Sequence, residues 1–98
     1  MKVRFQGDDL DRLETEPDFT AGFQPEVVRA YRKRIQAIRN ADDERPLRAL
    51  LSNHFEKLKG DLDGKYSMRL NKKWRLVFEI EGEGSSKTVI IFGILDYH

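Results

Sequence analysis

The chain has 98 residues and a formal net charge of +1, from 18 basic and 17 acidic side chains. This length predicts a single domain, residues 1–98. Because the chain lacks cysteine, disulfide frameworks and thiolate zinc sites are excluded. The longest uncharged apolar run, residues 88–95, is too short to span a bilayer, and the acidic residues 1–16 do not form a signal peptide. We therefore expect a soluble cytoplasmic protein that has no membrane partner.

The near-neutral total conceals two basic segments. Residues 1–26 carry a net charge of −4, whereas residues 27–39 and residues 57–75 each carry +5. Such segments predict a local positive surface that binds an acidic partner such as nucleic acid. The alternative is a solvated helix face and a charged turn, and charge alone favours this alternative.

The spacing of apolar residues predicts one strand and three helices before Gly60, where the period of the apolar residues changes. Val3 and Phe5 alternate in the first strand, and residues 8–16 form a short helix candidate. Residues 25–40 predict a longer helix, with a proline in its first turn and an apolar stripe formed by Val27, Tyr31, Ile35 and Ile38. A third helix is predicted from Pro46 to about Phe55, and the residues expected to face inward are Leu47, Leu50 and Leu51.

After Gly60 the apolar residues follow a period of two, which is typical of strands. Two strands are predicted, and their core-facing residues are Tyr66, Met68 and Leu70, then Trp74, Leu76, Phe78 and Ile80. Residues 81–86 predict a turn, and residues 88–95 are apolar on both faces, as in a central buried strand. The sequence therefore predicts an α+β fold in which an antiparallel sheet packs against N-terminal helices.

The loop between these two strands fixes which residues lie opposite each other. Leu70 and Trp74 must both face the core, and a two-residue loop would send them to opposite faces. A three-residue loop, Asn71 to Lys73, pairs Leu70 with Trp74 and therefore pairs Arg69 with Arg75.

Two arginines directly opposite each other destabilise a sheet by some tenths of a kcal/mol, and Lys72 and Lys73 add further positive charge. This arrangement predicts an anion site, because two planar guanidinium groups can each bind a phosphate through two hydrogen bonds. The alternative is a solvated face, or neutralisation of the pair by Glu79 or Asp61.

The last residues follow a buried strand directly, and such strand ends often carry functional side chains. They are Asp96, Tyr97 and His98, and a histidine is suited to donating or accepting a proton near neutral pH. A frayed tail is the alternative interpretation. Tyr97 and Trp74 could stack on a nucleobase, although a core position is favoured for Trp74.

Residues 58–78 read LKGDLDGKYSMRLNKKWRLVF, and the chain ends in DYH. These motifs and their spacing resemble the RelE/ParE toxin superfamily, with the closest likeness to HigB-like members and YoeB-like features at the active site. The resemblance implies a small RelE-like RNase fold and a metal-independent endoribonuclease that cuts mRNA in the ribosomal A site. No cofactor is implied. A cognate antitoxin is implied, often a helix-turn-helix protein that binds operator DNA, so that the toxin reaches this DNA only through its antitoxin.

The resemblance also implies site residues, residue by residue. Arg69 and Arg75 match the arginines that hold the scissile phosphate, and His98 is similar to the general acid of the family. The position three residues before the LKGD lysine is a histidine in HigB-like toxins and a glutamate in YoeB-like ones, and here it is Glu56. His54 matches that position less well, so either residue is a candidate for the general base. The substrate contacts that we expect are His54, Lys59, Lys72, Lys73, Asp96 and Tyr97.

The basic residues of the long helix are a second candidate RNA contact. Arg29, Arg32, Lys33 and Arg34 would bind ribosomal RNA backbone, and the alternative is a solvated face or an antitoxin-docking surface. Two other functions are compatible with the sequence: a ParE-like gyrase inhibitor, which shares the fold, and a non-catalytic module that binds an acidic peptide.

Overall fold

The computed structural model describes residues 1–84 and 86–96, which form an α+β fold with a five-stranded sheet. In chain order the elements are β1 (Lys2–Phe5), α1 (Asp8–Thr15), α2 (Pro25–Asn40), α3 (Arg45–Ala49), β2 (Glu56–Lys57), β3 (Tyr66–Arg69), β4 (Trp74–Glu81) and β5 (Thr88–Asp96). The spatial order is β1-β5-β4-β3-β2. The predicted meander of β3, β4 and β5 is confirmed, and β5 is an interior strand between β1 and β4. β1 pairs with β5 in parallel, which the sequence did not predict.

The helix predicted from the apolar stripe is confirmed as α2, with Pro25 at its first position. All four stripe residues are buried, and they join the core-facing residues of the sheet in one hydrophobic cluster that includes Met68, Leu76, Phe78 and Ile91. Full burial of a side chain of this kind contributes about 1.5–3 kcal/mol. The helices therefore cover one face of the sheet, and the arginines of β3 and β4 extend from the opposite face.

The predicted register of the β3–β4 hairpin is confirmed, because Arg69 is the cross-strand partner of Arg75. The backbone N–H of Leu70 donates to the carbonyl of Trp74 at 2.9 Å and closes the loop. Inside the loop, the side-chain oxygen of Asn71 accepts from the backbone N–H groups of Lys73 at 2.9 Å and Trp74 at 2.7 Å. Trp74 packs against the core, as favoured, and its ring meets that of Phe23 edge-on at 5.2 Å.

The predicted third helix is wrong in its length. α3 ends at Ala49, and a short 3₁₀ turn, Leu51–Asn53, follows it. Leu47 is buried, but Leu50 is 56% exposed and Leu51 is 87% exposed, so the inward positions predicted for these two leucines are wrong. The buried side chain of Asn53 donates to the carbonyl of Leu47 at 2.9 Å and so occupies an acceptor that a continued helix would use.

The chain then forms β2, a two-residue strand that the sequence did not predict. β2 pairs with the edge of β3, and Glu56 is the partner of Ser67. The connection from β2 to β3 is closed by a backbone hydrogen bond of 2.9 Å between the N–H of Leu58 and the carbonyl of Lys65. Leu58 and Val77 are buried outside the main cluster, so the sheet face that carries the arginines is itself partly covered.

No helix within the described ranges is long and apolar enough to cross a membrane.

Candidate functional site

Arg75 is fixed at two points on the sheet face opposite the helices. Its Nε donates to the hydroxyl of Ser67 at 2.8 Å, and its Nη2 donates to the backbone carbonyl of His54 at 2.6 Å. The Ser67 side chain is fully buried, and the Arg75 side chain is only 15% exposed. Hydrogen bonds to a charged group in such a sheltered position are stronger than exposed ones. Arg75 is therefore held in one orientation before any ligand binds.

Arg69 lies across from Arg75 and is held more loosely. Its Nε donates to the carbonyl of Asn71 at 3.1 Å, and its Nη1 lies 3.4 Å from Nε2 of His54. The same Asn71 supports the tight turn through its side chain, so the turn and the orientation of Arg69 depend on one residue.

His54 connects the two arginines, since its carbonyl accepts from Arg75 and its ring contacts Arg69. Its backbone has the left-handed conformation, with φ of 45° and ψ of 54°, at the end of the 3₁₀ turn. Residues other than glycine seldom adopt this conformation, although asparagine, aspartate and histidine do so more often than the rest. Sequence reasoning considered the His54 side chain, as a general base or a substrate contact, and missed the role of its backbone. An isolated histidine gives no signal for such a role.

Glu56 completes the cluster from the edge strand β2. Its Oε2 lies 3.8 Å from Nη2 of Arg75, and its side chain is 56% exposed. The structure thus brings together four of the predicted site residues: His54, Glu56, Arg69 and Arg75. Glu79, considered as a neutralising partner of the arginines, instead pairs with Lys65 at 3.0 Å.

The remaining predicted substrate contacts lie around this cluster or outside the described residues. Lys59 is exposed in the connection between β2 and β3, and Lys72 and Lys73 are exposed in the β3–β4 turn. The Nζ of Lys73 is 3.9 Å from Oδ2 of Asp96, and Asp96 is the cross-strand partner of Trp74. Tyr97 and His98 lie outside the described residues. Over residues 1–84 and 86–96, no group of acidic or histidine side chains could hold a metal ion.

The four predicted RNA contacts on α2 differ in their surroundings. Arg32 donates to the carbonyls of Leu13 and Glu16, both at 2.9 Å, and to that of Pro17 at 3.2 Å. Its guanidinium therefore satisfies the free carbonyls at the C-terminal end of α1 and joins α1 to α2. Arg29 and Lys33 are exposed.

Arg34 is half-buried beside the apolar stripe of α2. Its Nε is buried and has no hydrogen-bond partner among the described residues. This desolvation lowers the pKa of Arg34 from its usual value. Of the four predicted RNA contacts on α2, only Arg29 and Lys33 are thus exposed to an external partner.

The fold is similar to that of three solved toxin structures. A YoeB/ParE toxin from Agrobacterium tumefaciens matches with a TM-score of 0.66 and 21% identity over 100% of both chains. A YoeB–YefM complex from Staphylococcus aureus matches with a TM-score of 0.62 and 19% identity, over 100% of this chain and 97% of that one. A YoeB dimer from Staphylococcus aureus gives a TM-score of 0.56 and 22% identity with the same coverage. At these identities the matches establish the fold.

Sequence comparison identifies the family. No curated protein matches the chain. A family model described as HigB-like toxin, "RelE-like toxin of type II toxin-antitoxin system HigB", matches residues 3–98. The resemblance to the RelE/ParE superfamily is therefore confirmed over almost the whole chain. The chain belongs to the HigB-like family of RelE-like toxins from type II toxin–antitoxin systems.

Proposed function

We propose that this toxin is an endoribonuclease that cleaves mRNA in the A site of the small ribosomal subunit and thereby inhibits translation. The observation that carries the proposal is the cluster of Arg69, Arg75 and Glu56 on one sheet face. Two guanidinium groups and one accessible carboxylate supply what metal-independent RNA cleavage needs at the phosphate and at the ribose.

The reaction begins at the ribose 2′-hydroxyl. Glu56 accepts the 2′-hydroxyl proton while the 2′-oxygen forms a bond to phosphorus. Arg69 and Arg75, with help from Lys59, stabilise the negative charge of the pentavalent phosphorane. The bond from phosphorus to the 5′-oxygen then breaks, and His98 donates a proton to that oxygen, which leaves a 2′,3′-cyclic phosphate. A well-placed acid or base contributes ~10²–10⁴-fold to such a reaction.

Glu56 is the better candidate for the base than His54. The Glu56 carboxylate is 56% exposed and only loosely paired with Arg75 at 3.8 Å, so a substrate hydroxyl can reach it. Nε2 of His54 instead faces Nη1 of Arg69 at 3.4 Å. A base must reach its proton directly or through one water, and Glu56 satisfies this condition better.

Cations outside the cluster would bind the ribosome. We assign this role to Arg29 and Lys33 on α2 and to Lys72 and Lys73 in the hairpin turn, all of which are exposed. Asp96 would orient Lys73, with which it pairs at 3.9 Å, and Tyr97 would stack on a base of the mRNA. Binding through these phosphate contacts would weaken steeply as salt rises.

A cognate antitoxin is the second partner that we propose. Two similar structures are YoeB–YefM toxin–antitoxin complexes from Staphylococcus aureus, which supports an analogous partner for this toxin in the cytoplasm. We expect a helix-turn-helix antitoxin that binds operator DNA, so that the toxin reaches this DNA only through the complex.

The test is brief, tightly controlled expression followed by mapping of 5′ ends on cellular mRNA. We expect wild type to stop growth and to create new mRNA ends, and Arg75→Ala and His98→Gln to do neither. Arg45→Ala is the matched control, because Arg45 is 87% exposed and pairs only with Asp43 among the described residues. New mRNA ends that persist in both site variants would refute the mechanism.

The same experiment separates the alternatives. A ParE-like gyrase inhibitor is the second candidate, since one similar structure is that of a YoeB/ParE toxin. Expression would then induce a DNA-damage response and leave mRNA ends unchanged. For a non-catalytic peptide-binding module, Glu56→Gln would leave the effect of expression intact.

A further inference from the structure

We propose that His54 is a positioning residue whose left-handed backbone sets the orientation of both arginines, and that its ring is not the proton acceptor. This inference rests on the proposed function, because it concerns the same phosphate site. It starts from one unusual backbone conformation and two contacts that this conformation makes possible.

The backbone of His54 is the first part of the argument. The 3₁₀ turn Leu51–Asn53 closes with a hydrogen bond of 3.1 Å from the N–H of His54 to the carbonyl of Leu51. The left-handed conformation of His54 ends this turn, and strand β2 begins two residues later at Glu56. One backbone conformation thus leads the chain out of the turn and into the edge strand that carries the proposed base.

The second part is the direction of the His54 carbonyl. It accepts from Nη2 of Arg75 at 2.6 Å, while Ser67 holds Nε of the same guanidinium at 2.8 Å. Two of the three guanidinium nitrogens are therefore fixed by the protein, and within the described chain no partner occupies Nη1. This nitrogen is then free to bind a phosphate oxygen, in an orientation that is set before substrate arrives.

The third part is the His54 ring, which lies 3.4 Å from Nη1 of Arg69. A guanidinium nitrogen can only donate, so the contact is favourable when Nε2 of the ring is unprotonated and accepts. The carbonyl of His54 thus accepts from Arg75, and its ring contacts Arg69. In this arrangement the spacing between the two guanidinium groups depends on His54 more than on any contact between the arginines themselves.

Three substitutions at residue 54 distinguish the effect of the backbone conformation from the effect of the imidazole ring. Glycine and asparagine tolerate the left-handed conformation, so His54→Gly and His54→Asn keep the carbonyl in place and remove the imidazole. Valine disfavours this conformation strongly, so His54→Val moves the carbonyl away from Arg75. We expect glycine and asparagine to lower kcat for mRNA cleavage on ribosomes by less than about tenfold. We expect His54→Val to lower kcat by a further ~10-fold or more, which corresponds to the free energy of one lost hydrogen bond to a charged group.

Ala21 provides a matched control, since it is the other non-glycine residue with a positive φ, 51°, in the described chain. Ala21→Val imposes the same kind of backbone strain away from the arginine cluster and should leave kcat unchanged. KM should change less than kcat in His54→Val, because misplaced arginines stabilise the phosphorane poorly while other cations still bind RNA. Equal losses of ~10²–10⁴-fold in all three His54 variants would instead identify the ring as the base and overturn the proposal.

A second measurement does not depend on catalysis. In ¹H–¹⁵N spectra of the free protein, the Nε–H of Arg75 should exchange slowly with water, because it donates to a fully buried hydroxyl. Its signal is assigned by its loss in Arg75→Lys. We expect slow exchange to persist in His54→Gly and to be lost in His54→Val.

Unchanged exchange in His54→Val would overturn the positioning role whatever the activity. If wild type cleaves no mRNA, the proposed function fails, whereas the spectra still decide whether His54 positions Arg75.

Discussion

The hydroxyl of Ser67 is fully buried and accepts a hydrogen bond from Nε of Arg75 at 2.8 Å. The two residues lie on adjacent strands, β3 and β4, and point to the same face of the sheet. The charged partner of this buried serine is one of the two arginines proposed to stabilise the reacting phosphate. We therefore expect Ser67 to influence the substrate only by holding Arg75 in its orientation.

Ser67→Ala should therefore lower activity without disrupting the fold. The variant leaves Nε of Arg75 without its acceptor, which costs about 1–3 kcal/mol for a buried donor. We expect roughly tenfold slower mRNA cleavage and a Tm lower by about 4–8 °C for each kcal/mol lost, both measured on purified protein. Ser52→Ala is the control, because Ser52 is exposed in the turn before β2. Full activity in Ser67→Ala would show that Arg75 does not need this contact.

Glu56→Gln should abolish most cleavage while preserving stability. The amide keeps the shape of the side chain but cannot accept the 2′-hydroxyl proton, so kcat should fall by ~10²–10⁴-fold. Stability should change by less than about 1 kcal/mol, because the pair with Arg75 is long and largely exposed. Single-turnover cleavage and urea unfolding measure the two effects.

Glu83→Gln, at an exposed glutamate in the turn before β5, is the control for Glu56→Gln. Wild-type cleavage rates in Glu56→Gln would assign the base to another group.

Arg32 and Lys33 are neighbours in the sequence, but replacing them should affect different properties: Arg32 the stability of the fold, and Lys33 the binding of ribosomes. Arg32→Ala removes the donors that satisfy carbonyls at the end of α1, and we expect a loss of about 2–3 kcal/mol in the free energy of unfolding. Lys33→Ala should leave stability unchanged, because Lys33 is exposed, but should reduce the salt dependence of ribosome binding.

Urea unfolding and sedimentation with ribosomes at several salt concentrations measure these two quantities. A stable Arg32→Ala protein would contradict the structural role assigned to this arginine.

Tyr31 should make the fold sensitive to alkaline pH. Its hydroxyl donates to the carbonyl of Leu10 at 2.7 Å, and burial, followed by the nearby Glu14 and Asp11, raises its pKa. Because the folded pKa lies above the unfolded value of about 10, the contribution of Tyr31 is fully present below that pH. The contribution is lost as pH rises further.

The measurement for Tyr31 is urea unfolding at several pH values between 7 and 11. Tyr31→Phe should be about 1 kcal/mol less stable than wild type at neutral pH, and the difference should shrink or reverse above pH 10. A difference that stays constant up to pH 11 would contradict this account.

Regular periodicity made much of the fold predictable. The apolar stripe defined α2, and the requirement that Leu70 and Trp74 share a face defined the register that places Arg69 opposite Arg75. Both inferences work because long helices and paired strands repeat one constraint over many residues.

The region between α3 and β3 could not be predicted in the same way. Leu50 and Leu51 match a helical pattern with Leu47, but the buried amide of Asn53 ends the helix and leaves both leucines exposed. β2 is too short to show a period, and one histidine does not by itself predict the left-handed conformation that His54 adopts. These local features, and not the regular elements, bring Glu56 to the arginines.

The position of β5 has a consequence for the synthesis of this toxin. β5 lies between β1 and β4, yet it follows the other four strands in the chain. A growing polypeptide leaves the ribosome from its amino end, so the first four strands emerge while the strand that joins β1 to β4 is still missing. The nascent toxin therefore cannot assemble β1 and the β4–β3–β2 strands into one sheet until β5 has also been synthesised.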